Sequence, residues 1–186
     1  MDRFEQTLGI IDKYFKNNKF EYAVIGGIAV INYENYRTTN DIDIIIKVDL
    51  GNLQKLGEDI STFFKPVFDN AIEFFKKNYV LPAICEDNGI RIDFSAALSG
   101  FDYSAIKRAK KAKMGKTEYS VCSIEDLIIY KLVASRYQDL SDVQQLIKSN
   151  RGIDRQYLLN TAREFVELDR PDVLDRLQEF LSKFSK

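Results

Sequence analysis

Residues 41–47 read Asp-Ile-Asp-Ile-Ile-Ile-Lys, and this alternation constrains the chain more than any other stretch. Successive side chains on a strand point to opposite faces. Ile42, Ile44 and Ile46 therefore share one face, and Asp41, Asp43, Ile45 and Lys47 share the other. The segment is a half-buried strand that needs a sheet around it. The same geometry sets two carboxylates side by side, where like charges repel and nothing structural is gained. A divalent cation removes that repulsion, and Mg²⁺ is commonly held by one or two carboxylates together with substrate phosphates.

The residues upstream supply a second half. Phe20 to Ile25, with the apolar run Tyr22-Ala23-Val24-Ile25, has the length of a buried strand. Gly26-Gly27 ends it, and a helix is predicted over Ile28–Asn35. A helix N-terminus offers free N–H groups and a positive dipole end to an anion, and glycine lets a phosphate approach the backbone. Gly26 to Lys47 thus reads as a phosphate cradle followed by a carboxylate pair suited to a metal.

Gly26-Gly27, a spacer, and Arg37-x-Thr39-x-Asp41-Ile42-Asp43-Ile44 together resemble the signature of the nucleotidyltransferase superfamily with the polymerase-β-type palm. The resemblance implies an α+β fold: a mixed β-sheet flanked by helices, followed by a C-terminal helical region. It also implies an acidic residue on a neighbouring strand that completes the metal site. Asp93 fits, because Arg91, Asp93 and Ser95 face away from Ile90, Ile92 and Phe94. On pattern alone, Asp93 is equally a salt-bridge partner on an exposed strand face. Position 27 is Gly where many relatives carry Ser, which leaves phosphate contact there to backbone N–H groups.

A second segment, Lys131-x4-Arg136-x2-Asp139-Leu140-Ser141-Asp142, resembles the downstream motifs of the AbiEii-type nucleotidyltransferases, the toxin group that includes MenT-like enzymes. The two resemblances span roughly residues 20 to 147. The second implies that Lys131 and Arg136 contact the nucleoside triphosphate and that Asp139 and Asp142 serve the nucleotide site. Each residue also has a plainer reading. Lys131 is then an exposed helix residue, Arg136 a dipole-favoured cation at a helix end, Asp139 an N-cap and Asp142 a first-turn acid.

The remaining sequence narrows the chemistry. The 186 residues include no histidine, which excludes His-based triads, zinc ligation by His and imidazole acid–base work. A net charge of −1 argues against a generic polyanion binder. Cys85 and Cys122 sit in apolar settings and read as buried, inert thiols. No apolar run approaches the roughly 20 residues of a membrane span, so a cytoplasmic protein without a membrane partner is expected.

Helices are predicted over 2–17, 51–64, 69–77 and 99–109. Strand 79–85 carries Pro82 and is placed at an edge or bulge. Residues 86–89 form a turn into strand 90–95. Lys107, Arg108, Lys110, Lys111, Lys113 and Lys116 form either a solvated helix end and loop or a contact surface for RNA phosphates. Residues 117–122 read as an outer strand. Ser123 opens a helix, a second begins at Asp139, and two more cover 153–167 and 172–184. The expected division is a palm-like catalytic domain over 1–122 and a helical region over 123–186.

The expected activity is metal-dependent nucleotidyl transfer. Asp41, Asp43 and Asp93 hold two Mg²⁺ ions, with Mn²⁺ as the alternative. Gly26, Gly27, Arg37, Thr39, Lys131, Arg136, Asp139 and Asp142 serve the nucleotide. The acceptor is an RNA or tRNA end, a protein or a small molecule. A toxin role with an antitoxin partner is one biological setting for this chemistry. The competing reading is a nucleotide-binding or partner-regulating protein without catalysis.

Overall fold

The structure, a computed structural model, describes residues 2–34 and 37–184. The chain divides into two compact units, Met1–Ile28 with Thr38–Cys122, and Ala29–Arg37 with Ser123–Lys186.

The first unit is built on seven strands: β1 (Tyr22–Ile25), β2 (Asp41–Ile46), β3 (Lys65–Pro66), β4 (Val80–Ile84), β5 (Arg91–Ala96), β6 (Lys110–Met114) and β7 (Thr117–Val121). They form one mixed sheet in the order β3-β4-β5-β2-β1-β7-β6. Its helices are α1 (Arg3–Asn17), α3 (Leu53–Ser61), α4 (Ala71–Asn78) and α5 (Gly100–Lys107), and α2 (Gly26–Tyr33) begins in this unit.

The alternation in β2 sets the core. Ile42, Ile44 and Ile46 are fully buried, and register aligns Ile44 with Val24 on one side and Phe94 on the other. Helix α1 covers this face. Asp2 caps it by accepting from the Phe4 N–H, and Leu8, Ile11 and Phe15 point inward. Phe15 stacks on Tyr22 at 4.8 Å and meets Phe94 edge-on, and Phe64 packs on Phe94 at 5.3 Å. Each such side chain contributes about 1.5–3 kcal/mol by leaving water. The Tyr22 hydroxyl donates to Asp12 and accepts from the Ser120 N–H, joining α1, β1 and β7.

Several boundaries differ from the sequence reading. Pro82 is not at the sheet edge, because the two-residue β3 lies outside β4. The Pro82 carbonyl accepts from the Val67 N–H, so its missing N–H falls on the side of that very short edge strand. The outer strand at the other end is β6, not 117–122. The basic run predicted as helix end or loop supplies it, and β7 lies between β1 and β6. Lysines on an edge strand discourage pairing with another chain. Lys111 pairs with Asp12 and Lys113 with Glu118, which takes two of these cations into local ion pairs. The predicted helix 51–64 splits into a 3-10 turn at Leu50–Asn52, capped by Asp49, and α3. Helix α2 starts at the glycines rather than after them, and Asn35 lies outside the described residues. Cys85 and Cys122 are both buried, as predicted.

The second unit contains α6 (Ile124–Ala134), α7 (Tyr137–Ser149), α8 (Arg155–Glu167) and α9 (Pro171–Phe184). Ser123 caps α6 by accepting from the Asp126 N–H, and buried Asp126 accepts from the Tyr157 hydroxyl, tying α6 to α8. Ser135, left-handed at φ 57°, ends α6. Leu132, Val143, Leu146, Leu158, Val173 and Leu177 form the apolar interior. Among the described residues no helix is long and apolar enough to cross a membrane.

Candidate active site

In the first unit the site grows from the end of β1. Gly26 adopts φ +63°, a left-handed conformation that glycine reaches without steric cost. Antiparallel register sets Ile25 beside Asp43, so the turn at Gly26 meets the Asp43 side chain. A Cβ at Gly26 would lie 1.7 Å from Asp43 Oδ2. The carboxylate occupies space that only glycine leaves open. Gly27 follows in the first turn of α2.

Strands β2 and β5 run parallel and in register. Asp43 sits beside Asp93, and Asp41 beside Arg91. One sheet face therefore carries the row Ile25–Asp43–Asp93–Pro82 and, next to it, the row Asp41–Arg91–Ile84. Thr39 Oγ1 donates to Asp41 Oδ1 at 2.7 Å and orients that carboxylate.

Asp93 carries the electrostatic mark of the site. Burial raises its pKa above the ordinary carboxylate value, the charge on Asp41 raises it further, and Arg91 opposes the shift. Asp41 lies diagonally across the two strands from Asp93, which puts its charge within reach. Among the described residues neither Asp41 nor Asp93 forms an ion pair with lysine or arginine. Arg91 is near enough to pull the Asp93 value down, but the ion pair of the plainer reading is not formed among the described residues. Arg91 was placed on this face by sequence but given no role. Its spacing two residues before Asp93 is the signal that puts it there.

The fit to a metal is specific in kind. Among the described residues no three His, Cys, Asp or Glu side chains converge into a closed ligand cage, so the expected three-carboxylate grouping is not drawn together in this arrangement. Mg²⁺ does not require such a cage. It takes one or two carboxylates and completes its shell from phosphate and water. Asp41 and Asp43 on one strand, with the open glycine turn beside Asp43, provide that donor set.

In the second unit the charges are arranged differently. Lys131 Nζ lies 2.8 Å from Asp139 Oδ1 and 2.9 Å from Asp142 Oδ2, and Arg37 pairs with the same Asp142 oxygen. Asp142 is fully buried, and Lys131 and Asp139 are each 7% exposed. Asp139 is not the N-cap of α7. It lies in the first turn, and its Oδ2 accepts the N–H of the capping residue Arg136. Arg37, Lys131, Asp139 and Asp142 thus form one compensated cluster, and Lys131 is not the exposed residue of the plainer reading. Arg136 joins it only through its backbone. Its guanidinium is exposed and carries no ion pair among the described residues, and Tyr137 beside it is 92% exposed.

Residues 5–179 match the family described as nucleotidyl transferase of unknown function (DUF2204). The chain belongs to this family. As a nucleotidyltransferase, it shares its fold with several solved structures. One is an antigenic nucleotidyltransferase-like protein from Paracoccidioides brasiliensis, at 15% identity over 95% of this chain and 93% of that one, with a TM-score of 0.57. The antibiotic-resistance factor ANT(2'')-Ia aligns at 13% identity over 99% and 95% of the two chains, with a TM-score of 0.55. The lincosamide antibiotic adenylyltransferase LnuA, lincomycin-bound, aligns at 16% identity over 81% and 99%, with a TM-score of 0.51. At these identities the likeness is one of fold. No curated protein matches the chain. The α+β architecture and the nucleotidyltransferase class expected from the glycine and carboxylate motifs therefore hold.

Proposed function

We propose that this nucleotidyltransferase moves a nucleoside monophosphate from a nucleoside triphosphate to a hydroxyl acceptor, with Mg²⁺ or Mn²⁺ carried by Asp41 and Asp43. The observation that carries this reading is the Asp43 carboxylate packed against left-handed Gly26, with Asp93 beside it in register. The acceptor oxygen forms a bond to the α-phosphorus, the bond to the bridging oxygen of the β-phosphate breaks, and pyrophosphate leaves. The Asp93 carboxylate takes the hydroxyl proton. Backbone N–H groups at Gly26–Gly27 hold phosphate, Thr39 fixes Asp41, and Arg91 limits the charge that builds on that face. A divalent cation held by Asp41 and Asp43 would supply charge stabilisation to the reacting phosphate.

In this reading Asp139 and Asp142 orient Lys131 and Arg37, and Arg136 is the cation left open to a phosphate. The pattern of these residues supports kinship with the AbiEii-type enzymes. The acceptor is then an RNA or tRNA end, a protein or a small-molecule hydroxyl. A toxin role predicts that expression slows growth and that a partner protein restores it.

The test supplies labelled nucleoside triphosphates and Mg²⁺ to the purified chain, with cellular RNA, protein and small-molecule fractions as acceptors. Label transfer is expected. Asp41→Asn with Asp43→Asn should lower it by at least about a thousandfold, since the metal contributes several kcal/mol. Undiminished transfer by that double variant overturns the assignment.

A further inference from the structure

The helical unit contains a partly open cavity of about 380 Å³ lined by the end of α7, the following turn, the start of α8 and the end of α9. That size lies within the range of small-molecule sites, about 300–1,000 Å³. Among the described residues four cations line it, Lys148, Arg151, Arg155 and Lys183, and no side-chain carboxylate does. The whole chain has a net charge of −1, so this concentration of positive charge is local. Lys183 is offset by Glu179, and the Lys148 ammonium lies over the Phe184 ring at 4.6 Å from its centre. Arg151 and Arg155 are exposed, and among the described residues neither has an ion pair or a hydrogen bond.

Two guanidiniums held near each other without an acid gain from an anion. Arginine binds phosphate through paired N–H donors, which a lysine cluster alone does not provide. The apolar lining adds a second requirement. Ile147, Ile153 and Leu181 also line the cavity, and Ile147 is 4% exposed. A backbone-tracking nucleic-acid surface is a continuous basic groove with stacking aromatics. A cavity lined by both cations and apolar side chains fits a small ligand with phosphates at one end and a flat, weakly polar group at the other.

We propose that this cavity of the helical unit binds a nucleoside polyphosphate, through residues other than those assigned to nucleotidyl transfer. Its polyphosphate pairs with Arg151 and Arg155, and its base rests on the apolar lining.

The experiment uses the full chain carrying Asp41→Asn and Asp43→Asn, in EDTA, so that metal-dependent binding is removed. Calorimetric titrations with ATP, GTP, inorganic tripolyphosphate and a single-stranded oligoribonucleotide are compared. One saturable event with ATP or GTP is expected, at least tenfold tighter than with tripolyphosphate. Adding Arg151→Gln and Arg155→Gln should weaken it at least tenfold. Both arginines are exposed, so the melting temperature should not change. With the carboxylates intact, Arg151→Gln/Arg155→Gln should still transfer label in Mg²⁺, which keeps this inference distinguishable from the proposed reaction. The inference is overturned by no metal-free nucleotide binding, by binding indifferent to the arginine changes, by equal affinity for tripolyphosphate, or by binding of the oligoribonucleotide alone.

Discussion

The carboxylates of the sheet face and those of the helical unit share a chemistry and differ in company. Asp139 and Asp142 are almost wholly buried, yet each has a cation within 3 Å. Asp41 and Asp93 lie on a more open face, and there burial and mutual repulsion raise Asp93 instead of an ion pair lowering it. The first arrangement is satisfied within the protein. The second is left with excess negative charge that something else must neutralise. Burial alone therefore does not mark a reactive acid; the absence of a compensating partner does.

Breaking the satisfied cluster should give the largest change in stability. Lys131→Met leaves buried Asp139 without its cation and Asp142 with Arg37 alone, and breaking such a buried pair costs about 3–5 kcal/mol. Urea denaturation should show that loss. A change under about 1 kcal/mol would mean that the cluster behaves like an exposed surface pair.

Gly26→Ala probes the open face through its backbone. The φ of +63° penalises any side chain, and the new Cβ collides with the Asp43 carboxylate. A stability loss of about 1–3 kcal/mol is expected. A roughly hundredfold fall in transfer should accompany it, because the displaced carboxylate loses its placement. Normal transfer in this variant would show that Asp43 need not sit where the turn holds it.

Thr39→Val sharpens the comparison more gently. It removes one hydrogen bond to Asp41 and should cost about 1 kcal/mol or less, with a several-fold drop in transfer.

The smallest effect has the opposite sign. Folding raises the Asp93 carboxyl above its ordinary value, so the folded chain keeps a proton that the unfolded chain has released. Its contribution to stability is complete below the ordinary carboxylate range and declines as pH rises through the raised value. In metal-free buffer at neutral pH, Asp93→Asn should melt above the parent chain. The gap should close as pH falls toward about 4. A variant that melts lower at neutral pH would contradict this electrostatic account.

What could be read from sequence follows from how local each feature is. The face that carries Asp41, Asp43 and Asp93 was legible because strand alternation is a property of neighbouring residues. The left-handed turn at Gly26 was foreshadowed by the glycine pair, but its collision partner depends on the register of β1 with β2, which no single segment encodes. The cluster of Arg37, Lys131, Asp139 and Asp142 joins residues 105 positions apart at its extreme, and only tertiary packing shows that the acids hold the cations. Strand β6 was missed for a related reason. Its lysines give no apolar alternation, and it is a strand because β7 offers an open side to pair with. Pro82 misled because a proline marks a missing donor and not an edge as such.

The lysines along β6 carry one last consequence. Among the described residues no strand lies beyond β6, and the lysine charge along it discourages a second copy from pairing at this margin. Concentrated salt, or acetylation of those amines, would weaken that shield and leave the fold untouched. Turbidity that grows with protein concentration under such conditions, without loss of secondary structure, is how this margin would reveal itself.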